Sequence, residues 1–563
     1  MRWQPRSRSS LLASSVIATC TTLSGCTGTL DAGPAWGRGS NSSGPTEPEV
    51  EQGTTPLRAL GERELENVLA DALPTLARQD LTIPTARVAH RYSTFAGGQA
   101  VTATTLQLTE GSLTRAASAI AADDTTMGCS VEVEGRACVE AFARRALPRL
   151  YRRDATEADV RALGEIFEAQ RASDDARTAL TTTLAATLLS PRFLYAWSDA
   201  SGRAVDGRSR LSGFELAERL SFLLWSSSPD DALLDAARTG ALSTDTGVRV
   251  EATRMMADPR FDRFLVTFFD QWLGLEDVER ATKDPTRIPE WHEGLGAQMA
   301  EEAHRFVIHW GREDGSLDGL FTSRERFLTP ELASFLAVPA LGSEDGSART
   351  ADDPRTASGI FTLSAFLVMH SRPSSRFGPT LRGHWMRTRL LCGVIGSPPP
   401  DALMRAPTED PAEQTRAWHE QLIANPGCGA CHRQMDRLGF SMEHFDGAGR
   451  FRTSEVGHAV DSSAEVIGSG DALLDGEYAS IIELAGALAG SPVVADCLAQ
   501  HLTEYALGTD QSRATVAGTV SRRSIAIPLV ARDLLGGGLR AALMTLVTSE
   551  AFVTAPADEG DRR

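Results

Sequence analysis

Cys428-Gly429-Ala430-Cys431-His432 is the stretch of this chain whose residue types and spacing point most directly to chemistry. Two thiols three residues apart can form thioethers with the two vinyl groups of a haem, and the adjoining imidazole can reach the iron as proximal ligand. The spacing therefore predicts one covalent haem c per chain, held by Cys428 and Cys431 with His432 on the iron. With 8 cysteines and 11 histidines among 563 residues, chance would produce this pattern about 0.002 times per chain. Zinc is the chemical rival, since Cys428, Cys431 and His444 fit three positions of a two-cysteine, two-histidine site. Its fourth ligand should follow His444 by about four to six residues. Ala448, Gly449 and Arg450 stand there, and His458 is too distant. A plain or redox-active Cys428–Cys431 disulfide is the other reading.

The sequence does not choose a sixth ligand for the iron. Met435 follows His432 too closely and belongs to the proximal side, while Met442 and His444 lie in a better range. Met369 and His370 could arrive from a neighbouring helix, and an open position is a further alternative. Other groups invite less. Glu301, Glu302, His304 and His309 share one predicted helix, but a di-iron site needs two Glu-x-x-His motifs and only one is present, which favours a solvated face. Asp446 and Arg450, four apart, read as an ion pair. Phe264, Phe268, Phe269 and Trp272 read as core. No Gly-x-Ser-x-Gly, phosphate loop or dinucleotide fingerprint occurs.

The start of the chain gives the compartment in which this chemistry would happen. MRWQPRSR holds three arginines and no acid, an apolar stretch runs from Leu11 to Leu23, and Leu23-Ser24-Gly25-Cys26 follows. This order describes a secretory signal ending in a bacterial lipobox, with Cys26 as the lipidated residue. Acyl chains contribute roughly 0.8 kcal/mol per buried methylene, so several of them anchor the chain durably. The apolar run is shorter than the ~20 residues that span a bilayer. Thr27, rather than aspartate, after the cysteine leans towards the outer membrane, with the body facing the periplasm or the surface. Residues 26–55 are rich in Gly, Ser, Thr, Pro and Glu and read as a disordered tether.

Export to an oxidising compartment also bears on the remaining cysteines. Cys20 leaves with the signal and Cys26 carries lipid, so Cys129, Cys138, Cys392 and Cys497 remain beside the motif. Cys129 and Cys138 could close a small loop and leave Cys392 and Cys497 for a long-range bridge, although sequence cannot fix connectivity. A net charge of −18 argues against nucleic acid as partner. Lys283 is the only lysine, which reads as coding bias.

The elements that must position the motif are mainly α. Helix starts are predicted at Ser228-Pro229, Asp258-Pro259, Thr329-Pro330 and Asp410-Pro411, where a capping residue precedes a proline. Ser212 with Glu215 forms a predicted capping box. Strand patterns are few, and residues 458–468 hold the best of them. Breaks are predicted at 199–210, at 342–357 and at Ser397-Pro398-Pro399-Pro400, a stiff extended spacer ahead of the motif.

NPGCGACHRQMDRLGFSMEHFDGAGRFR resembles the haem-motif module of planctomycete-type secreted cytochrome proteins, which also occur in myxobacteria. Cys428, Cys431, His432, Asp436, Gly439, Phe440, Glu443, Phe445, Asp446, Gly449, Arg450 and Arg452 fall on its pattern, whereas Arg437 replaces its usual proline, which alters a turn. LRALGERELENVLADAL, FARRALPRLYRRDATEADV, LAERLSFLLWSSSPDDALLDAA with MMADPRFDRFLVTFFDQWLGL, and ADCLAQHLTEYALG are similar to the family's other modules.

The resemblance implies a multidomain helical body with a c-type-cytochrome-like haem module and few short strands. The expected parts are a signal peptide (1–25), the tether (26–55), helical modules at 56–125, 126–200 and 208–340, the haem-motif module at 353–455 and a C-terminal helical module at 470–555. These modules have no settled biochemical role. The leading expectation is a lipid-anchored monohaem cytochrome in extracytoplasmic electron transfer with a redox or envelope protein partner. The alternatives are a haem enzyme (peroxidase or dehydrogenase subunit), or a non-redox envelope binding or structural protein.

Overall fold

Many of the described helix starts are set by side chains that accept the free N–H groups of the first turn. The Ser212 hydroxyl accepts from the Glu215 N–H while the Glu215 carboxylate accepts from the Ser212 N–H, so Gly213–Trp225 opens with the expected capping box. Thr329 caps Pro330–Phe335. Asp258 caps a short 3-10 turn, Pro259–Phe261, which leads into Asp262–Leu273. Ser228-Pro229 does not start its helix. Asp230 is the cap, accepting from Leu233 N–H at 2.9 Å, and the helix runs Asp231–Arg238. The carboxylate wins that position because Arg254 and Arg260 both pair with it.

The computed structural model describes residues 57–74, 83, 91–96, 102–196, 208–338, 349–350, 357–373, 377–397, 413–508 and 522–556, all within one unit, 50–563. The signal peptide, Cys26, the tether, the triple-proline spacer beyond Ser397 and the Asp410-Pro411 start lie outside the described residues. Within them the fold is mainly α, as the sequence leads one to expect. Strands of two or three residues pair as antiparallel ribbons. The 458–468 stretch is two strands rather than one. His458–Ala459 pairs with Ser454–Glu455, and Ala464–Val466 pairs with Gly476–Tyr478. The last residues of the predicted 199–210 break form the strand Arg208–Arg210, which pairs with Thr554–Pro556.

Two hydrophobic clusters result from the amphipathic helices. One gathers residues between Leu60 and Phe193, with Phe222. The other runs from Tyr92 and Leu211 through to Ala555 and contains Phe264, Phe268, Phe269 and Trp272, none more than 1% exposed. Rings of this size each contribute roughly 1.5–3 kcal/mol on burial. Trp272 packs edge-on against Trp385 at 5.3 Å, and the Trp385 indole N–H donates to the Trp272 carbonyl at 3.0 Å. This contact joins Asp262–Leu273 to Pro379–Trp385, the helix that packs against the cysteine motif. Disulfides link Cys129 to Cys138 and Cys392 to Cys497.

Candidate functional site

Asn425 turns the chain into the motif. Its side-chain oxygen accepts from Gly427 N–H, and its carbonyl accepts from Cys428 and Gly429 N–H at 3.1 and 2.7 Å. A side chain at Gly429 would put its Cβ 2.3 Å from the Ile423 carbonyl, so this close turn requires glycine. The motif helix, Gly429–Gly439, follows, with Cys428 as its N-cap and Cys431 and His432 in its first turn. Cys428 and Cys431 are free thiols, each partly exposed.

The buried face of this helix crosses Pro379–Trp385 at very short range. A Cβ on Gly383 would lie 1.8 Å from the Met435 carbonyl, and one on Gly439 would lie 1.9 Å from the Pro379 carbonyl. The crossing brings Thr380 to Asp436, which is fully buried. Thr380 Oγ1–H donates to Asp436 Oδ1 at 2.8 Å. Asp436 Oδ2 accepts from two imidazoles, His432 Nδ1–H at 2.7 Å and His419 Nδ1–H at 2.8 Å. A carboxylate only accepts, so both rings carry a proton on Nδ1, and in the neutral imidazole form Nε2 is the nitrogen left with a lone pair. Burial pushes Asp436 up, but the hydrogen bonds from His419 and His432 outweigh it and hold the carboxyl below its usual range. The ring centroids of His419 and His432 are 6.4 Å apart.

Beyond the motif helix, Arg382 organises the next turn. Its guanidinium is fully buried and donates to the carbonyls of Leu367, Met442, Phe445 and Asp446 and to the Ser371 hydroxyl. Burial pushes its pKa down to about 9. Asp446 accepts from Ala448 and Arg450 N–H and pairs with the Arg450 side chain at 2.9 Å, the ion pair its spacing predicts. Glu443 is fully buried and pairs with Arg416 at 3.5 Å. Burial pushes its carboxyl up to about 7, against the pull of Arg416 and Arg452.

The structure brings Cys428, Cys431 and His432 together at one helix start and keeps His444 apart. His444 Nδ1–H donates to the Arg452 carbonyl at 2.9 Å and its ring stacks on Phe451. Among the described residues, Cys428, Cys431 and His444 form no cluster of metal-ligand geometry, whereas His419, His432 and Asp436 do. His370 is committed elsewhere, its Nε2–H donating to the Leu273 carbonyl at 2.8 Å. Met435 and Met442 are buried and Met369 packs at the edge of the core. The Glu301 to His309 helix disperses its groups. Glu302 is buried against Arg326 and Ser364, His304 meets Asp270, and His309 meets Glu325. Arg437 sits inside the motif helix, not in a turn, and pairs with Glu465 on the Ala464–Val466 strand. Lys283 is no mere compositional remnant. It is buried, its ammonium donates to the Val368 and Ser371 carbonyls, and burial brings its pKa down to about 8.

Sequence reasoning missed the roles of Thr380 and His419. Asp436 carried a signal, because residues four apart on a helix share a face and His432 precedes it by four. His419 and Thr380 reach the site from other helices and gave none. The motif nevertheless fits a covalently held haem. Its two thiols are free where Cys129, Cys138, Cys392 and Cys497 are bonded, and its imidazole is oriented with Nε2 available.

Three stretches of the chain match family models. Residues 138–197 match PSD5, residues 211–338 match PSD4 and residues 357–455 match PSCyt3, described as proteins of unknown function (DUF1595, DUF1592 and DUF1588). No curated protein and no solved structure matches the chain. The chain thus carries three such domains in the order PSD5, PSD4, PSCyt3, which is consistent with a planctomycete-type multidomain family.

Proposed function

We propose that this protein is an exported, lipid-anchored monohaem c-type cytochrome that passes single electrons to and from a protein partner in the cell envelope. The observation that carries the reading is the helix start at Cys428: two free thiols one helical turn apart, followed by an imidazole whose Nδ1–H is committed to Asp436. Cys428 and Cys431 would hold the haem as thioethers, and His432 Nε2 would be the proximal ligand. The haem supplies a one-electron ferric–ferrous couple when bound. The protein's own part is to fix the imidazole and to hold the attachment turn rigid through Asn425 and the Gly383–Gly439 crossing. The name of the model matching residues 357–455 hints at the same chemistry. Cys26 would anchor the chain, with the outer membrane as its site and the tether holding the body away from the lipid.

The test is covalent haem on the full chain, exported in a host with c-type maturation machinery and purified in detergent. We expect one haem per chain by pyridine haemochrome and by peroxidase stain on a denaturing gel, lost in His432→Ala and in the double variant Cys428→Ser, Cys431→Ser. Absence of covalent haem from a folded, exported chain overturns the reading and leaves a non-redox envelope binding protein. A high-spin haem with an open sixth position would instead point to a haem enzyme.

A further inference from the structure

Asp436 holds two imidazoles on one oxygen, and this sharing has a consequence for the iron ligand. A metal-bound histidine is commonly oriented by a hydrogen bond from its other ring nitrogen, and an anionic acceptor gives the ring more electron density than a carbonyl does. Here the acceptor is a fully buried carboxylate, where charge is poorly screened. Its Oδ2 takes the His432 Nδ1–H at 2.7 Å, but the same oxygen takes the His419 Nδ1–H at 2.8 Å, and Thr380 donates to Oδ1. Each added donor withdraws part of the charge that would otherwise reach His432.

We propose that Asp436 is a positioning residue that sets the donor strength of His432, and that His419 on the Thr415–Ala424 helix attenuates it by sharing Asp436 Oδ2. The inference rests on His432 being the haem ligand. Asp436 fixes the Nδ1–H tautomer and stabilises the ferric state through the ring, lowering the midpoint potential. His419 raises that potential again by drawing on the same oxygen. The two residues therefore act with opposite sign, which a merely structural role would not produce.

The experiment is spectroelectrochemical titration of the haem-loaded full chain. Asp436→Asn should raise the midpoint potential by at least a tenfold change in the reduction equilibrium, about 59 mV for one electron. Asp436→Glu should restore part of that shift. His419→Phe, which keeps a ring in the buried site, should shift the potential downward. Should Asp436→Asn fail to fold or to mature, the sign of the His419→Phe shift decides by itself. Covalent haem with unmoved potentials, or with both variants shifting the same way, overturns the inference and leaves the cytochrome reading standing. No covalent haem in the unaltered protein removes the cytochrome reading itself.

Discussion

Cys392, Cys497 and His501 make one cysteine–cysteine–histidine group in this chain, and Cys428, Cys431 and His432 make another. In the first the sulfurs come from positions 105 residues apart and are bonded to each other. His501, 2% exposed, lies 3.7 Å from Cys497 Sγ and 3.9 Å from Cys392 Sγ, with Arg91 and Glu504 on its ring nitrogens. Burial lowers the pKa of its ring. In the second group the thiols are a single helical turn apart, free and partly exposed, and the histidine presents one nitrogen inward and leaves the other available. The same residue types thus make a closed crosslink in one place and an open cradle in the other. What separates them is who supplies the neighbours. Distant segments close the first, whereas the second is built by one helix start and braced from behind.

That contrast can be broken by experiment. The largest effect should come from the closed site. Replacing Cys392 and Cys497 together by alanine should cost about 4 kcal/mol in urea unfolding of the chain, because the bond closes a loop of 105 residues. A midpoint unchanged from the unaltered protein would show that the bridge is incidental to the fold. Next, Gly439→Ala should cost about 3 kcal/mol, since its Cβ would meet the Pro379 backbone at 1.9 Å and force apart the helices that brace the open site. A neutral result would refute the tight crossing.

A pH series sharpens the comparison further. The Glu443 carboxyl is raised in the folded state, so the folded protein binds the proton more tightly and stability falls as pH rises from about 4.5 through about 7. Glu443→Gln should therefore stabilise the protein above pH 7, by roughly 3 kcal/mol at most, and lose that advantage below about pH 4.5. A pH-independent difference would dismiss the raised, buried carboxyl. The smallest effect is expected at the open site itself. Cys428→Ser with Cys431→Ser should change the stability of the haem-free chain by less than about 1 kcal/mol, because both thiols are unbonded and partly exposed. A loss near that of the Cys392–Cys497 variant would make the two sites alike and remove the cradle.

Much of the fold was legible where local chemistry decides it. The caps at Ser212, Asp258 and Thr329 hold as read, and the aromatic run through Phe264 and Trp272 is core. The start at Ser228 was misplaced because two arginines from later in the chain favour Asp230. Lys283 was passed over because nothing adjacent in sequence marks it as buried, and only the carbonyls at the end of Ser364–Met369 explain it.

For the candidate site the division is similar. Sequence alone determined the Cys428, Cys431 and His432 spacing, and the four-residue interval from His432 to Asp436 holds a signal of a shared face that only the motif helix makes readable. Only the tertiary structure decided that Asp436 is buried, that it serves His419 and Thr380 as well, and that Gly383 and Gly439 let two helices approach closely enough for this. Those features depend on which surfaces meet, and one segment's pattern holds no record of the other surface.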